Sequence, residues 1–218
     1  MSGLASDDGN ERVTIVIGLC GRLGTGKDTV ADMLERDHGF QRASFAGVLK
    51  DVVAAAFGWD RDLLEGRTEE SRVWREQPDS FWSGALIKPG FTPRAALQIW
   101  GTEVVRDGFH QDFWLRALER GIVRGKYGNR VVVTDCRFPN ECALIRGMGG
   151  TVACIQRGAE PSWERAVREQ GQEPSDVHRS EWSWMGQEDC AVPNDGTLDD
   201  LKTQVDLLNE AAARPLAQ

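Results

Sequence analysis

With 218 residues, 40% of them hydrophobic, and a formal net charge of −8, the chain has enough material for one α/β domain with a real core. The acidic balance disfavours a broad basic face for duplex DNA, where phosphate contacts dominate, although a local basic groove stays open. No apolar run approaches a membrane span, and five cysteines, odd in number and without a C-x-x-C pair, argue for buried reduced thiols rather than disulfides or zinc.

Met1 to Arg12 is polar and acidic, lacks the basic and hydrophobic parts of a signal peptide, and is read as a flexible leader. Val13 to Gly18 predicts the first strand. Gly21 to Lys27 then spells G-x-x-x-x-G-K, and a helical pattern with Val30, Ala31, Met33 and Leu34 follows to about His38. Strand, glycine loop and helix in that order form a phosphate loop. The glycines let the backbone aim N–H groups at a phosphate, and the helix N-terminus and Lys27 add positive charge. Such a loop binds a nucleoside triphosphate through Gly21, Gly24, Thr25, Gly26 and Lys27. After the lysine, where Ser or Thr usually ligates Mg²⁺, stand Asp28 and Thr29. Asp28 either holds the metal, directly or through water, or caps the helix.

Gly39 is a plausible left-handed cap. A short strand near Gln41 to Phe45 and a helix over Gly47 to Phe57 come next. Gly58 to Phe91 breaks the rhythm and predicts an insertion over the sheet edge. Thr92-Pro93 opens a helix that is expected to run to about Arg106. Another covers Gln111 to Arg120 and stops at Gly121. Arg130 to Asp135 reads as a buried strand, Pro139 to Met148 as a helix and Thr151 to Arg157 as a strand. Gly158 to Glu188 is lid-like, Cys190 to Val192 is a last short strand, and Thr197 caps a terminal helix to Ala213. Strands alternating with helices predict a three-layer fold: a five-stranded parallel sheet with helices on both faces. The expected organisation is one domain over residues 13–214, with 58–92 as an acceptor-side insertion, 158–188 as a lid-like segment and 215–218 as a tail. The tryptophans at 59, 74, 82, 182 and 184 fall in polar stretches, where packing is favoured over a role in substrate walls.

Phosphoryl transfer needs charge and positioning, so carboxylates at strand ends and arginines near the loop carry weight. Asp135 ends an apolar strand, where ligands of open α/β sheets gather, and is the candidate acid for Mg²⁺ or its waters. Arg137 is a candidate phosphate clamp, with Glu141 one turn further on. Arg94, Gln98, Thr102 and Arg106, each four apart, share one side of the predicted helix. Leu97, Trp100 and Val104 are expected to pack inward, and Gly101 leaves room for a ligand to approach. Arg157 ends a strand beside the loop. Arg165, Arg168 and Arg179 lie in the lid-like segment, one or two of these four being expected to close over the transferring phosphate, and His178 is a further candidate there.

In order along the chain, these elements resemble the deoxynucleoside monophosphate kinases of tailed bacteriophages. The resemblance runs from Gly-Lys-Asp-Thr at 26–29 through 45–51, Leu97 to Glu103, Phe113-Trp114, Thr134 to Arg137, Glu141, Arg157-Gly158, His178 to Glu181, and Asn194 to Thr197. It implies an ATP- and Mg²⁺-dependent kinase that converts a deoxynucleoside monophosphate to the diphosphate for phage DNA precursor synthesis, in the host cytoplasm and without a membrane partner. Lys27 and the loop glycines would hold ATP, and Asn194, Asp195 and Gly196 would lie near the adenine. Lys50, Arg94, Gln98 and Trp114 would face the acceptor, with Asp135 and Arg137 between the two sites. Gly101, Thr102 and Arg179 join the acceptor-side set, Arg157 joins the catalytic set, and a homodimer stays open.

The insertion departs most from the family pattern, which keeps a runner-up. Similar phage kinases phosphorylate 5-hydroxymethyluracil already inside DNA, and Arg61, Arg67, Arg72, Arg75 and Lys88 would supply positive charge for the strand. Nearby acids largely offset them, which favours the free nucleotide. A non-catalytic nucleotide-binding switch is the third reading.

Overall fold

The computed structural model describes residues 14–177 and 179–214. The leader, His178 and the tail lie outside the described residues. Along the chain, β1 (Ile15–Cys20) leads into α1 (Lys27–His38), β2 (Gln41–Ala43) and α2 (Phe45–Phe57). Three short helices follow: α3 (Arg61–Glu65), α4 (Glu69–Glu76) and α5 (Ser80–Ala85). Then come α6 (Pro93–Gln98), a π-helical segment (Ile99–Asp107) and α7 (Phe113–Val123). The chain continues through β3 (Arg130–Val133), α8 (Pro139–Gly147), β4 (Thr151–Gln156) and α9 (Ser162–Gln170). A 3₁₀ turn (Arg179–Glu181), β5 (Cys190–Pro193) and α10 (Leu198–Ala212) complete it.

The five strands are parallel, in the order β2-β3-β1-β4-β5. This three-layer α/β fold, a five-stranded parallel sheet with helices on both faces, is the one expected. Side chains alternate across the sheet, as strand geometry requires. Val16, Val131, Val133, Val152 and Cys154 face α7, α8 and Trp184. Ile17, Leu19, Val132, Ala153 and Ile155 face α1 and α10. Each fully buried Leu or Ile here contributes about 1.5–3 kcal/mol by leaving water.

The topology places the site. β1 lies between β3 and β4, so its C-terminal loop is flanked by the ends of both neighbours, at the point where the strand order reverses and ligands bind. Gly18 is in register with Val133, which brings Asp135 level with Cys20, where the loop begins. Cys20 is in register with Cys154, which puts Arg157 just beyond the loop on the other side.

Four expectations about local structure are corrected. The helix after Pro93 changes to π-helical geometry at Ile99. A π-helix completes a turn in a little over four residues, so residues four apart still share a side, and Arg94, Gln98 and Thr102 are all exposed. The open side of Gly101 meets the Leu49 side chain of α2, not a ligand, and its carbonyl accepts from Trp114 Nε1 at 3.0 Å. Val104 points outward, with 47% of its surface exposed. The helix at Phe113 passes through Gly121, whose open side faces Tyr127, and runs on to Val123.

The segment between Gly58 and Phe91 folds as a helical wall around its own aromatic cluster. Phe57 stacks on Trp59 at 4.5 Å and meets Trp82 edge-on at 4.9 Å, with Trp74 and Phe91 alongside. Packing therefore explains Trp59, Trp74 and Trp82, and it also explains Trp184, which is buried against the sheet.

Candidate active site

A cleft of about 970 Å³ opens at the carboxyl ends of the strands, bounded by the phosphate loop on one side and by α2, α3 and the α3–α4 turn on the other. The loop can form only with glycine at two of its bends. Gly21 has φ +127, and a Cβ there would come within 2.5 Å of the Ile155 carbonyl oxygen. Gly26 has φ +100, and a Cβ there would run into the Asn194 amide. Asn194 Nδ2 in turn donates to the Thr25 carbonyl at 2.8 Å, and Thr25 Oγ1 donates to the Arg22 carbonyl at 2.9 Å. The loop is thus held from β5 as well as from within itself. Lys27 Nζ donates to the Gly21 and Arg22 carbonyls, both at 2.7 Å. Burial, and then the nearby Arg137, lowers the pKa of the Lys27 ammonium below its usual value.

Asp135 sits on the cleft floor. Its two oxygens accept from the backbone N–H groups of Phe45 at 2.9 Å and Ala46 at 3.0 Å. It therefore caps α2 from the end of β3, where Ser44 makes no side-chain cap of its own. Burial raises its pKa against the pull of those two amides. Glu141 is also buried and accepts from the N–H groups of Arg137 at 2.7 Å and Phe138 at 3.1 Å. Burial and the neighbouring Asp135 charge push it up to about 7. Glu141 thus fixes the turn that carries Arg137 rather than reaching the cleft.

Asp28 and Thr29 line the cleft at the start of α1. Asp28 is open to solvent and lies 3.3 Å from Arg42, which also binds Asp32 and Glu35. Arg157 lines the cleft beyond β4. Among the described residues, no group of three or more His, Cys, Asp or Glu side chains could hold a metal ion.

The acceptor side differs from expectation. Of Lys50, Arg94, Gln98, Gly101, Thr102, Trp114 and Arg179, only Lys50 lines the cleft. Arg94 pairs with Glu76 at the surface, 2.9 Å away. Gln98 and Thr102 are exposed on the π-helical stretch and its entry, and Arg179 is exposed on the 3₁₀ turn. Trp114 is buried in the packing against that stretch. On the far side of the loop, Asp195 Oδ1 accepts from Gly158 N–H at 2.6 Å, and Gly196 turns toward the Asp200 carboxylate. Neither they nor Asn194 lines the cleft.

In place of the expected set, the cleft gathers Arg61, Arg67, Arg72, Lys126 and Tyr127. Most of this charge is already matched. Lys50 binds Glu65 at 2.8 Å, Arg61 binds Asp51 at 2.7 Å and Glu65 at 2.6 Å, and Lys126 binds Asp51 at 3.1 Å. Arg72 lies 3.9 Å from Glu69, and Arg137 binds Glu181 at 2.9 Å. Among the described residues, Lys27, Arg157 and Arg67 alone of the cleft's lysines and arginines lack a carboxylate within ion-pair distance. Two stand at the loop and one at the opposite wall. Arg75 and Lys88 join neither group. Arg75 packs over Gly66, and Lys88 edges an apolar groove of about 380 Å³ beside Trp82 and Trp100.

Among the described residues, no helix is long and apolar enough to cross a membrane. A family model described as deoxynucleotide monophosphate kinase matches residues 85–205. A putative deoxynucleotide monophosphate kinase of Acanthamoeba polyphaga mimivirus is 30% identical over 202 residues, 88% of this chain and 94% of that one. The deoxynucleoside-5′-monophosphate kinase of Escherichia phage T5 is 27% identical, over 62% of this chain and 72% of that one. A dephospho-CoA kinase of Corynebacterium efficiens is 26% identical, over 88% of this chain and 94% of that one. With the phosphate loop and its cleft in place, the chain belongs to the deoxynucleotide monophosphate kinase family and is a phosphotransferase enzyme.

Proposed function

We propose that the protein transfers the terminal phosphate of ATP to a deoxynucleoside monophosphate, giving the diphosphate. The observation that carries this reading is the disposition of unpaired charge across one cleft. Lys27 and Arg157 line it at the phosphate loop, and Arg67 lines it from the turn between α3 and α4. Cations left without an acid in a cleft otherwise neutralised by ion pairs suit two phosphorylated ligands meeting between them. The acceptor oxygen belongs to a phosphate already largely ionised at neutral pH, since a phosphomonoester's second pKa is about 6. No strong general base is then required. The residues supply alignment and charge: Lys27, Arg137 and Arg157 around the transferring group, and Arg67 on the acceptor phosphate.

Mg²⁺ fits the donor set. Asp28 offers a solvent-facing carboxylate, and Asp135 retains lone pairs for a metal-bound water. When bound, the ion would neutralise charge on the nucleotide phosphates. Residues 13–214 form one kinase domain in this reading, with 58–92 as the acceptor wall and 158–188 as the lid. Both viral relatives support a place in supplying deoxynucleotide precursors for viral DNA, in the host cytoplasm.

The reading is tested by incubating the protein with ATP and Mg²⁺ and, separately, each deoxynucleoside monophosphate, hydroxymethyl-dUMP, and hydroxymethyluracil-containing DNA. ADP release stimulated by a monomeric nucleotide is expected. Label transferred to DNA, or ATP binding without acceptor-stimulated release, would overturn it. Arg67→Ala is expected to raise the acceptor KM by roughly tenfold or more, the loss of a charge-assisted contact, while the ATP KM stays within about twofold. Equal changes in both would remove Arg67 from the acceptor wall.

A further inference from the structure

The lid-like segment brings a carboxylate to two groups that a phosphate would use. Glu181 Oε2 accepts from the backbone N–H of Leu23, inside the phosphate loop, at 2.9 Å. Its other oxygen, Oε1, accepts from the Arg137 guanidinium at 2.9 Å, and the same guanidinium nitrogen donates to Ser180 Oγ at 3.2 Å. Leu23 and Arg137 both line the cleft that holds Lys27. A single anion thus bridges a loop amide and an arginine at the end of the neighbouring strand, as two oxygens of a phosphoryl group would. The electrostatic field agrees, because Glu181 is among the charges that favour the Lys27 ammonium.

The segment is attached to the loop at two points that differ in kind. Arg22 binds Glu164 of α9 at 2.9 Å, and the Glu164 carboxylate is buried, 7% exposed, while Arg22 is 21% exposed. The Glu181 side chain is 24% exposed. Its backbone is anchored separately, since its carbonyl accepts from Nε1 of the buried Trp184 at 2.9 Å. The carboxylate can therefore turn away from the loop while the chain beneath it stays fixed.

We propose that Leu23 N–H and Arg137 form the subsite for the terminal phosphate of the triphosphate, and that Glu181 is its internal occupant, displaced when ATP enters. The proposal rests on ATP being the phosphate donor, as argued above. ATP must break the Glu181–Arg137 pair to seat its last phosphate. ADP ends one phosphate short and leaves the pair in place. The loop is in this way guarded against the triphosphate more than against the diphosphate, and the arrival of ATP releases the Glu181 side chain from the loop.

The test is titration calorimetry of the full chain with Mg²⁺-ATP and Mg²⁺-ADP, on the unaltered protein, Glu181→Gln and Asp32→Asn. Glutamine keeps the shape and an acceptor for Leu23 N–H but loses the charge held by Arg137. ATP affinity is expected to rise about tenfold in Glu181→Gln, with ADP affinity within about twofold. Asp32 lines the same cleft, bonds neither Leu23 nor Arg137 and pairs with Arg42, so its variant controls for net charge. Its ATP-to-ADP preference is expected to be unchanged. Glu181→Asp, which keeps the charge on a shorter arm, should fall between, and circular dichroism checks that each variant is folded. An unchanged ATP-to-ADP preference in folded Glu181→Gln overturns the proposal, as does a loss of kcat with no gain in ATP affinity. Failure of the unaltered protein to bind either nucleotide would instead overturn the donor assignment itself.

Discussion

Lys27→Ala is expected to lower kcat by roughly 100- to 1,000-fold, the loss seen when one preorganised charge-stabilising donor is removed from a transition state. The ammonium stands at the head of α1 and holds the Gly21 and Arg22 carbonyls, so it follows the loop wherever the loop wraps a phosphate. Its neighbours in the cleft cannot replace it. Arg137 approaches from beyond β3, and Arg157 from beyond β4. The fold should survive. Only two part-buried bonds to carbonyls are lost, each contributing about 1 kcal/mol. A melting temperature within a few degrees of the unaltered protein, alongside a collapse of acceptor-dependent ADP release, is the expected pair of results. Near-full turnover in a folded variant would take the loop out of the reaction.

The loop, the sheet and the position of Asp135 were legible because each is written locally. Gly21 and Gly26 sit at bends that a Cβ would block, so their spacing reports a backbone path. The run Val131 to Val133 is apolar because β3 is covered on both faces, and Asp135 lies two residues past its end. The acceptor wall was not legible in the same way. Arg61, Arg67, Arg72 and Lys126 meet there from separate elements, and what distinguishes Arg67 is the absence of a nearby acid, which only the folded chain determines. Arg67 was visible as one of several positive charges in the insertion, with nothing in the sequence to rank it above Arg61. The row from Arg94 to Arg106 was legible as an exposed side, but spacing along one helix does not say which cleft that side borders, and here it borders none that holds the phosphate loop. Glu181 carried no periodic signal, because its partners Leu23 and Arg137 are far away in sequence.

Asp135→Asn is expected to lower stability by about 1–3 kcal/mol and kcat by roughly 100-fold or more, and the two losses should not track each other. The stability loss follows from the hydrogen bonds. Asparagine can accept from one of the Phe45 and Ala46 amides but turns an NH₂ group toward the other, leaving a donor at the start of α2 unmatched. Since α2 carries Lys50 and Gly47 into the cleft, loosening its first turn also disturbs one wall. A cap alone would cost activity only through the unfolded or frayed fraction, and cooling well below the melting midpoint would restore turnover. A carboxylate that also orders water and charge around the transferring phosphate would leave turnover low at every temperature at which the chain is folded. Melting curves and kcat measured together from 10 to 30 °C separate the two, temperatures roughly 15 °C or more below a typical mesophilic midpoint. Persistent loss of turnover in fully folded Asp135→Asn is the expected outcome. Recovery to near the unaltered rate on cooling would reduce Asp135 to a clamp between β3 and α2, and Asp28 would then be left as the cleft's carboxylate for the metal.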